Sequence, residues 1–345
     1  MQRYEHGGDI YANPHVTLDF SVNTNPMGMP AAVGQELLSR VAEYARYPDP
    51  ACRELRAAIS LHENVPQDWI LCGNGAADLI YRLCYAVKPR KALVLAPTFS
   101  EYERALEQVD CQVMYHMLKA DNQFALTSEI EKQLIPGIDM LFLCHPNNPT
   151  GRLIQADVMG HILHRASENG TIVIIDECFL DFTDGLSAKQ YLNNMPTIVV
   201  LKAFTKMYSL AGLRLGYLLT ADRTLLDKTS NAAQCWSVSV PAQIAGRAAL
   251  TSANWPQKTR RLIAEEHHFL SEGLCELGIT VFPGDANFLL LRCKIPLYEL
   301  LLQKGILIRA CENFRGLDWS YFRVSVRQRS ENNRLLQAIK EIIRG

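Results

Sequence analysis

The sequence predicts an α/β protein: a large domain on a mainly parallel, helix-flanked mixed sheet, followed in the chain by a smaller α+β domain. Three observations carry this. Strand-like and helix-like stretches alternate between Ala92 and Ile175, the strand-like ones are mainly continuous apolar runs rather than strict alternations, and beyond Arg214 the pattern changes to long helices and then short strands. A strand that is apolar at every position has both faces covered, which is the condition of a parallel sheet between helical layers. At 345 residues the chain has enough length for two cores.

In chain order, residues 1–30 read as an arm. Its density of Gly and Pro rejects a regular helix and favours a segment laid over another surface. The apolar spacing over 30–47 is helical, and Tyr47, directly before Pro48, is biased out of the helical region onto an exposed turn. A short strand after Asp68 leads through Gly73-Asn-Gly75 into an amphipathic helix from Ala76. Strands are expected at 92–96, 112–116, 139–144 and 172–175, with helices at 99–108 and 155–167. A buried strand at 197–201 then delivers Lys206. Helices from Ala221 and Pro241 and over 254–276 lead to strands at 280–282, 288–293, 306–309 and 322–326 and a final helix. The expected division is an arm, 1–30, packed on a small domain, 245–345, with a large domain, 31–244, and the site in the cleft between them.

A net charge of -1 and a pI near 6.8 provide no broad field to attract nucleic acid or an acidic membrane, so neither is expected as a partner. Ten cysteines are scattered through apolar segments without a C-x-x-C, a pattern of reduced, packed thiols. His161 and His164 form an H-x-x-H without a third ligand and read as a solvated helix face, so no metal is expected. Asn169-Gly-Thr171 reads as a turn. The first residues lack the apolar core of a signal peptide and no apolar run is long enough to span a bilayer, so a cytoplasmic location is expected.

The chemistry centres on Lys206 and Arg214, the latter in a segment where Gly212 and Gly216 permit close backbone approach. A free lysine titrates near ~10.4, so it acts as a neutral amine only where burial or neighbouring cations disfavour its charge. The amides of Ala76 and Ala77, after Gly75, open a helix and suit a phosphate. Phe99, Asn148 and Asp176 follow three separate strands, where ligands of such sheets sit. In the arm, His6 with Gly7 and Gly8 is placed to reach an anion.

Taken in order, Gly73 to Asp78, Pro146 to Gly151, Ile174 to Glu177 and the Lys206–Arg214 stretch resemble the aminotransferase-like enzymes of fold type I, the aspartate aminotransferase fold, which use pyridoxal 5'-phosphate. The resemblance runs over nearly the whole chain. It implies that Lys206 joins the coenzyme, that Gly75, Ala76, Ala77, Thr205 and Arg214 hold its phosphate, and that Asp176 faces its pyridine nitrogen. It further implies that Asn148 donates to the ring oxygen, that Phe99 stacks on the ring, and that Tyr47 reaches the phosphate across a homodimer interface. Phe179 stands where many members carry a tyrosine, a departure that points away from ordinary transamination.

His6 to Gly8, Phe20 to Gly28, Trp236 to Val238, Ile306 to Cys311 and Tyr321 to Val324, with Asp176 to Phe182, resemble the L-threonine O-3-phosphate decarboxylases of cobalamin biosynthesis. The activity implied is decarboxylation of that amino acid to (R)-1-amino-2-propanol O-2-phosphate. His6, Gly7, Gly8, Asn23, Arg309 and Arg323 would divide the substrate's phosphate and carboxylate between them. Three alternatives stand beside it: a histidinol-phosphate aminotransferase, a decarboxylase of serine phosphate giving ethanolamine phosphate, and a silent regulator. No basic helix-turn-helix pattern supports the last.

Overall fold

The computed structural model describes residues 6–344. In chain order the elements are β1 (Leu18–Asp19), α1 (Ala31–Ser39), α2 (Arg53–Glu63), β2 (Ile70–Gly73), α3 (Ala76–Val87), β3 (Lys91–Ala96), α4 (Glu101–Glu107), β4 (Gln112–Met117), β5 (Met140–Cys144), α5 (Ala156–Glu168), β6 (Ile172–Asp176), β7 (Ile198–Ala203), α6 (Phe204–Met207) and β8 (Gly216–Leu219). The remainder are α7 (Arg223–Asn231), α8 (Val240–Leu250), α9 (Trp255–Glu276), β9 (Thr280–Val281), β10 (Phe288–Arg292), α10 (Leu297–Gln303), β11 (Ile306–Leu307), β12 (Arg309–Ala310), β13 (Tyr321–Ser325) and α11 (Arg329–Arg344).

Seven strands form one sheet in the order β2-β8-β7-β6-β5-β3-β4. All neighbours are parallel except β8, which runs antiparallel to both β2 and β7. Successive residues of the central strands alternate between two apolar cores. Leu93, Leu141, Val173 and Val200 enter one, while Val94, Phe142, Ile174 and Val199 enter the other. This is why these strands are apolar at every position. A third core gathers β10, β13, α9 and α11, and Leu18 and Phe20 of the arm belong to it. There β10 and β13 lie centrally in a four-stranded antiparallel sheet, and β1 pairs in parallel with β11.

Several expected bounds shift. The helical stretch read from Pro30, with its end set before Arg46, is in two pieces: α1 stops at Ser39, where Arg40 leaves the helical region (φ -113°) and its Nε donates to Glu43 at 2.6 Å, and a 3-10 turn, Val41–Ala45, follows. The strand expected over 306–309 is two, one pairing with the arm and one with β13. The 244/245 division falls inside α8, whose Ala242, Ala245 and Ala249 lie in the same core as α2 and the large sheet. Among the described residues no helix is long and apolar enough to cross a membrane.

Candidate active site

Register brings the lysine, the arginine and the glycine turn to one end of the sheet. Gly216, the first residue of β8, is paired on one side with Gly73 and on the other with Ala203. Two residues before it stands Arg214, two after Gly73 stands Gly75, and three after Ala203 stands Lys206. Close packing demands glycine at two of these places. A Cβ on Gly216 would lie 2.6 Å from the Ala76 nitrogen, and one on Gly75, at φ +88°, would lie 2.7 Å from Arg214 Nη2. The guanidinium therefore sits over the start of α3, a twelve-residue helix whose first amides have no intrahelical acceptor. A cation beside a helix N-terminus is the arrangement that receives a phosphate. Gly212, by contrast, has open space around it, so close approach is not its purpose. Thr205 precedes Lys206 in the same turn.

Burial first, and then the charge of Arg323, push Lys206 down to about 8, against the opposing pull of Cys178 and Asp176. Relative to an ordinary lysine this is about 3 kcal/mol of preference for the neutral amine. Its Nζ lies 5.2 Å from the centre of the Phe179 ring, which in turn packs edge-on against Phe288.

Asp176 ends β6 and is buried. Its Oδ2 accepts from the Tyr102 hydroxyl at 2.6 Å and its Oδ1 from the Cys178 amide at 2.9 Å. Tyr102 also meets Phe99 edge to face at 5.6 Å and stacks on Phe142 at 4.9 Å. Sequence reasoning named Phe99 and missed Tyr102. The helix expected over 99–108 would have put these two residues, three apart, on one face. The helix itself starts at Glu101, later than the expected 99, which leaves Phe99 on the loop that follows β3.

A second group is built on the small sheet. Arg309 and Arg323 are direct cross-strand partners of β12 and β13, only 9% and 6% exposed. Like charges placed opposite one another repel. Burial, followed by the charge of Arg309 among the effects that lower it, brings Arg323 down to about 10. Arg323 donates from Nη2 to the Ser21 carbonyl at 2.8 Å and from Nη1 to Asn148 Oδ1. With its amide oxygen turned to the guanidinium, Asn23 accepts from Nη1 and Nε at 3.3 and 3.2 Å. Arg309 donates to Asn313 Oδ1 at 2.8 Å. Arg323 thus fixes Asn148 with its amide nitrogen as the donor for a ligand.

The arm closes the constellation from above Phe99. His6 lies with its ring centre 5.9 Å from that of Phe99, and its Nε2 is 2.8 Å from Glu101 Oε1. That hydrogen bond, with a further one from Tyr81, lowers the Glu101 carboxyl to about 2 although burial opposes it. An anion reaching His6 meets it in company with a carboxylate, which the sequence reading did not foresee. The Gly7 backbone packs on the Ser21 carbonyl, where a Cβ would lie 2.2 Å away, and the Gly8 amide donates to Ser21 Oγ at 2.7 Å. Tyr47 is 77% exposed, and its ring stacks on Trp236 at 4.5 Å.

His161 and His164 are exposed beside Glu131 and Glu168, and the described residues hold no group of His, Cys, Asp and Glu fit for a metal. All ten cysteines are free thiols, but Cys235 and Cys275 are exposed rather than packed.

The family profile described as aminotransferase class I and II matches residues 16–339. A threonine-phosphate decarboxylase of Salmonella typhimurium is 39% identical, over 99% of this chain and 97% of the relative. A histidinol-phosphate aminotransferase of Desulfitobacterium hafniense is 34% identical, over 93% of this chain and 91% of its own length. Among solved structures, the histidinol-phosphate aminotransferase of Clostridium acetobutylicum superposes with a TM-score of 0.89 at 29% identity, covering 95% of this chain and 99% of that one.

Proposed function

We propose that this chain, a member of the aminotransferase class I and II family that uses pyridoxal 5'-phosphate, decarboxylates L-threonine O-3-phosphate to (R)-1-amino-2-propanol O-2-phosphate for cobalamin assembly. In the same reading it works as a cytoplasmic homodimer, with Tyr47, exposed on one protomer, reaching the phosphate site of its partner. The observation that carries the substrate reading is the buried Arg309–Arg323 cross-strand pair, which meets a substrate bearing two anionic groups. Its resemblance to the Salmonella typhimurium decarboxylase adds independent weight.

The residues fit the coenzyme. Gly75, Ala76, Ala77 and Arg214, with Thr205 beside them, would hold the phosphate, Asp176 the ring nitrogen, Asn148 the ring oxygen, Phe99 the ring face and Lys206 the aldehyde carbon. When bound, the coenzyme supplies an electron-accepting ring. The chain does the rest. Arg309, Arg323, Asn23 and His6 orient the substrate's phosphate and carboxylate, and that orientation selects which bond at Cα breaks. The Cα–carboxylate bond breaks, carbon dioxide leaves, and one proton is delivered to Cα. Lys206 Nζ, held near neutrality in its proton affinity, is the group suited to deliver it. The ring nearest that amine is Phe179, which has no hydroxyl to exchange a proton with it.

The likeness to histidinol-phosphate aminotransferases supports a second reading, transamination of histidinol phosphate. One assay separates the two. The coenzyme-loaded enzyme is expected to release carbon dioxide from L-threonine O-3-phosphate, and to form little glutamate from histidinol phosphate and 2-oxoglutarate. The reverse outcome overturns the decarboxylase reading. Serine phosphate belongs in the same assay, because one methyl group is worth only ~1–3 kcal/mol of discrimination.

Arg323→Ala is expected to lower kcat/KM on the order of 10²-fold, the worth of one or two charge-assisted hydrogen bonds. Lysine is not expected to rescue it, since Ser21, Asn23 and Asn148 are met by a planar fork that an ammonium lacks. Steady-state carbon dioxide release checks both variants, and near-normal activity in Arg323→Ala removes this residue from the substrate set.

A further inference from the structure

The turn that carries Lys206 is held from outside by a side chain that the proposed chemistry leaves unused. Helix α6 has four residues, so its carbonyls find few acceptor partnerships of their own. Asn25, in the arm and only 3% exposed, meets them. Its backbone amide donates to the Lys206 carbonyl at 3.0 Å. Its Nδ2 donates to the Met207 carbonyl at 2.8 Å and to Thr259 Oγ1, on α9, at 2.7 Å. Its Oδ1 accepts from the Met27 amide at 2.9 Å, and its carbonyl from Ser209 Oγ at 3.0 Å.

We infer that Asn25 is a positioning residue that sets where the Lys206 amine stands, and that it ties that amine through Thr259 to the helix α9. An asparagine amide has two N–H donors and one accepting oxygen, and all of these functions are engaged here. Aspartate would turn an oxygen toward the Met207 carbonyl. An apolar side chain would leave that buried carbonyl to Trp255 Nε1 alone, at 3.2 Å. The arm, the lysine turn and α9 converge on this one amide, so a shift of the arm or of α9 is felt at Lys206. The inference rests on Lys206 being the amine that joins the coenzyme, but not on which substrate is consumed.

The test uses the coenzyme-loaded enzyme with Asn25→Ala, Thr259→Val and Thr259→Ser. The visible absorbance is titrated with pH, coenzyme release is followed after dilution into a trap, and kcat and Tm are measured. For Asn25→Ala the absorbance midpoint is expected to move by about half a pH unit or more and release to speed by ~10-fold, the effect of losing a buried hydrogen bond or two. Thr259→Val is expected to move both in the same direction by less, and Thr259→Ser to restore them. A lowered Tm with the midpoint, release rate and kcat of the parent would overturn the inference. Should Asn25→Ala fail to fold, the Thr259 pair decides alone, and parent-like values in Thr259→Val refute the tie to α9. Failure of the decarboxylase reading shows separately, as a parent enzyme without carbon dioxide release whose absorbance still responds to Asn25.

Discussion

Lys206→Ala is expected to abolish turnover, with a fall of about 10³-fold or more, because it removes both the attachment of the coenzyme and the proton carrier. Both roles require the neutral amine. With its affinity lowered from 10.5 to about 8 by burial and by Arg323, Lys206 is unprotonated in roughly a tenth of molecules at pH 7, some 300-fold more than an unperturbed lysine. Lys206→Arg is expected to be equally inactive, since a guanidinium retains its proton at any working pH. Borohydride labelling of the loaded enzyme gives the check, with the label on the Lys206 peptide of the parent and absent from the variant. Label on another lysine would sink the assignment. The sign of the pH effect on stability follows from the same shift. Between about 8 and 10.5 the unfolded chain keeps a proton that the coenzyme-free folded chain has released, so stability rises with pH across that window and loses this slope in Lys206→Met.

The parts of the site legible in the sequence are those carried on one stretch of chain. Lys206 follows an apolar run, Gly75 opens a helix, and Asp176 ends a strand, so spacing alone placed each at a sheet end. What escaped depends on register between distant segments. Nothing local says that β8 runs antiparallel, yet that pairing carries Arg214 over Gly75. Arg309 and Arg323 were named from the resemblance, but their direct opposition across two strands is set by pairing. The same holds for the buried ion cluster under β7. Lys202 was not expected to lie in that strand, yet there it meets Glu63 Oε1 at 3.2 Å and Asp181 Oδ1 at 3.1 Å. Residue Tyr102 shows the opposite case, a local signal left unread. It lay inside the expected helix, three residues after Phe99, while the carboxylate it serves lay elsewhere in the chain.

Asp176→Asn is expected to lower kcat/KM by about 10²- to 10³-fold, a loss comparable with removing one preorganised electrostatic contact in a closed site, and to weaken coenzyme binding. Two donors already face this carboxylate, the Tyr102 hydroxyl and the Cys178 amide, one to each oxygen. An asparagine has a single accepting oxygen, so its NH₂ must point at one of those donors, and its charge no longer draws a proton onto a ring nitrogen. In the ligand-free chain both direct hydrogen-bond partners of this carboxylate are neutral groups, and a ring nitrogen carrying a proton would bring it a charge-assisted one. Coenzyme binding would add that contact in the parent and not in the variant, so it is expected to raise the Tm of the parent by more than that of Asp176→Asn. Equal gains in the two proteins, measured at matched coenzyme concentrations, would mean that this carboxylate does not meet the coenzyme. Tyr102→Phe removes one donor while keeping the charge, and it is expected to fall between the parent and Asp176→Asn in both measurements.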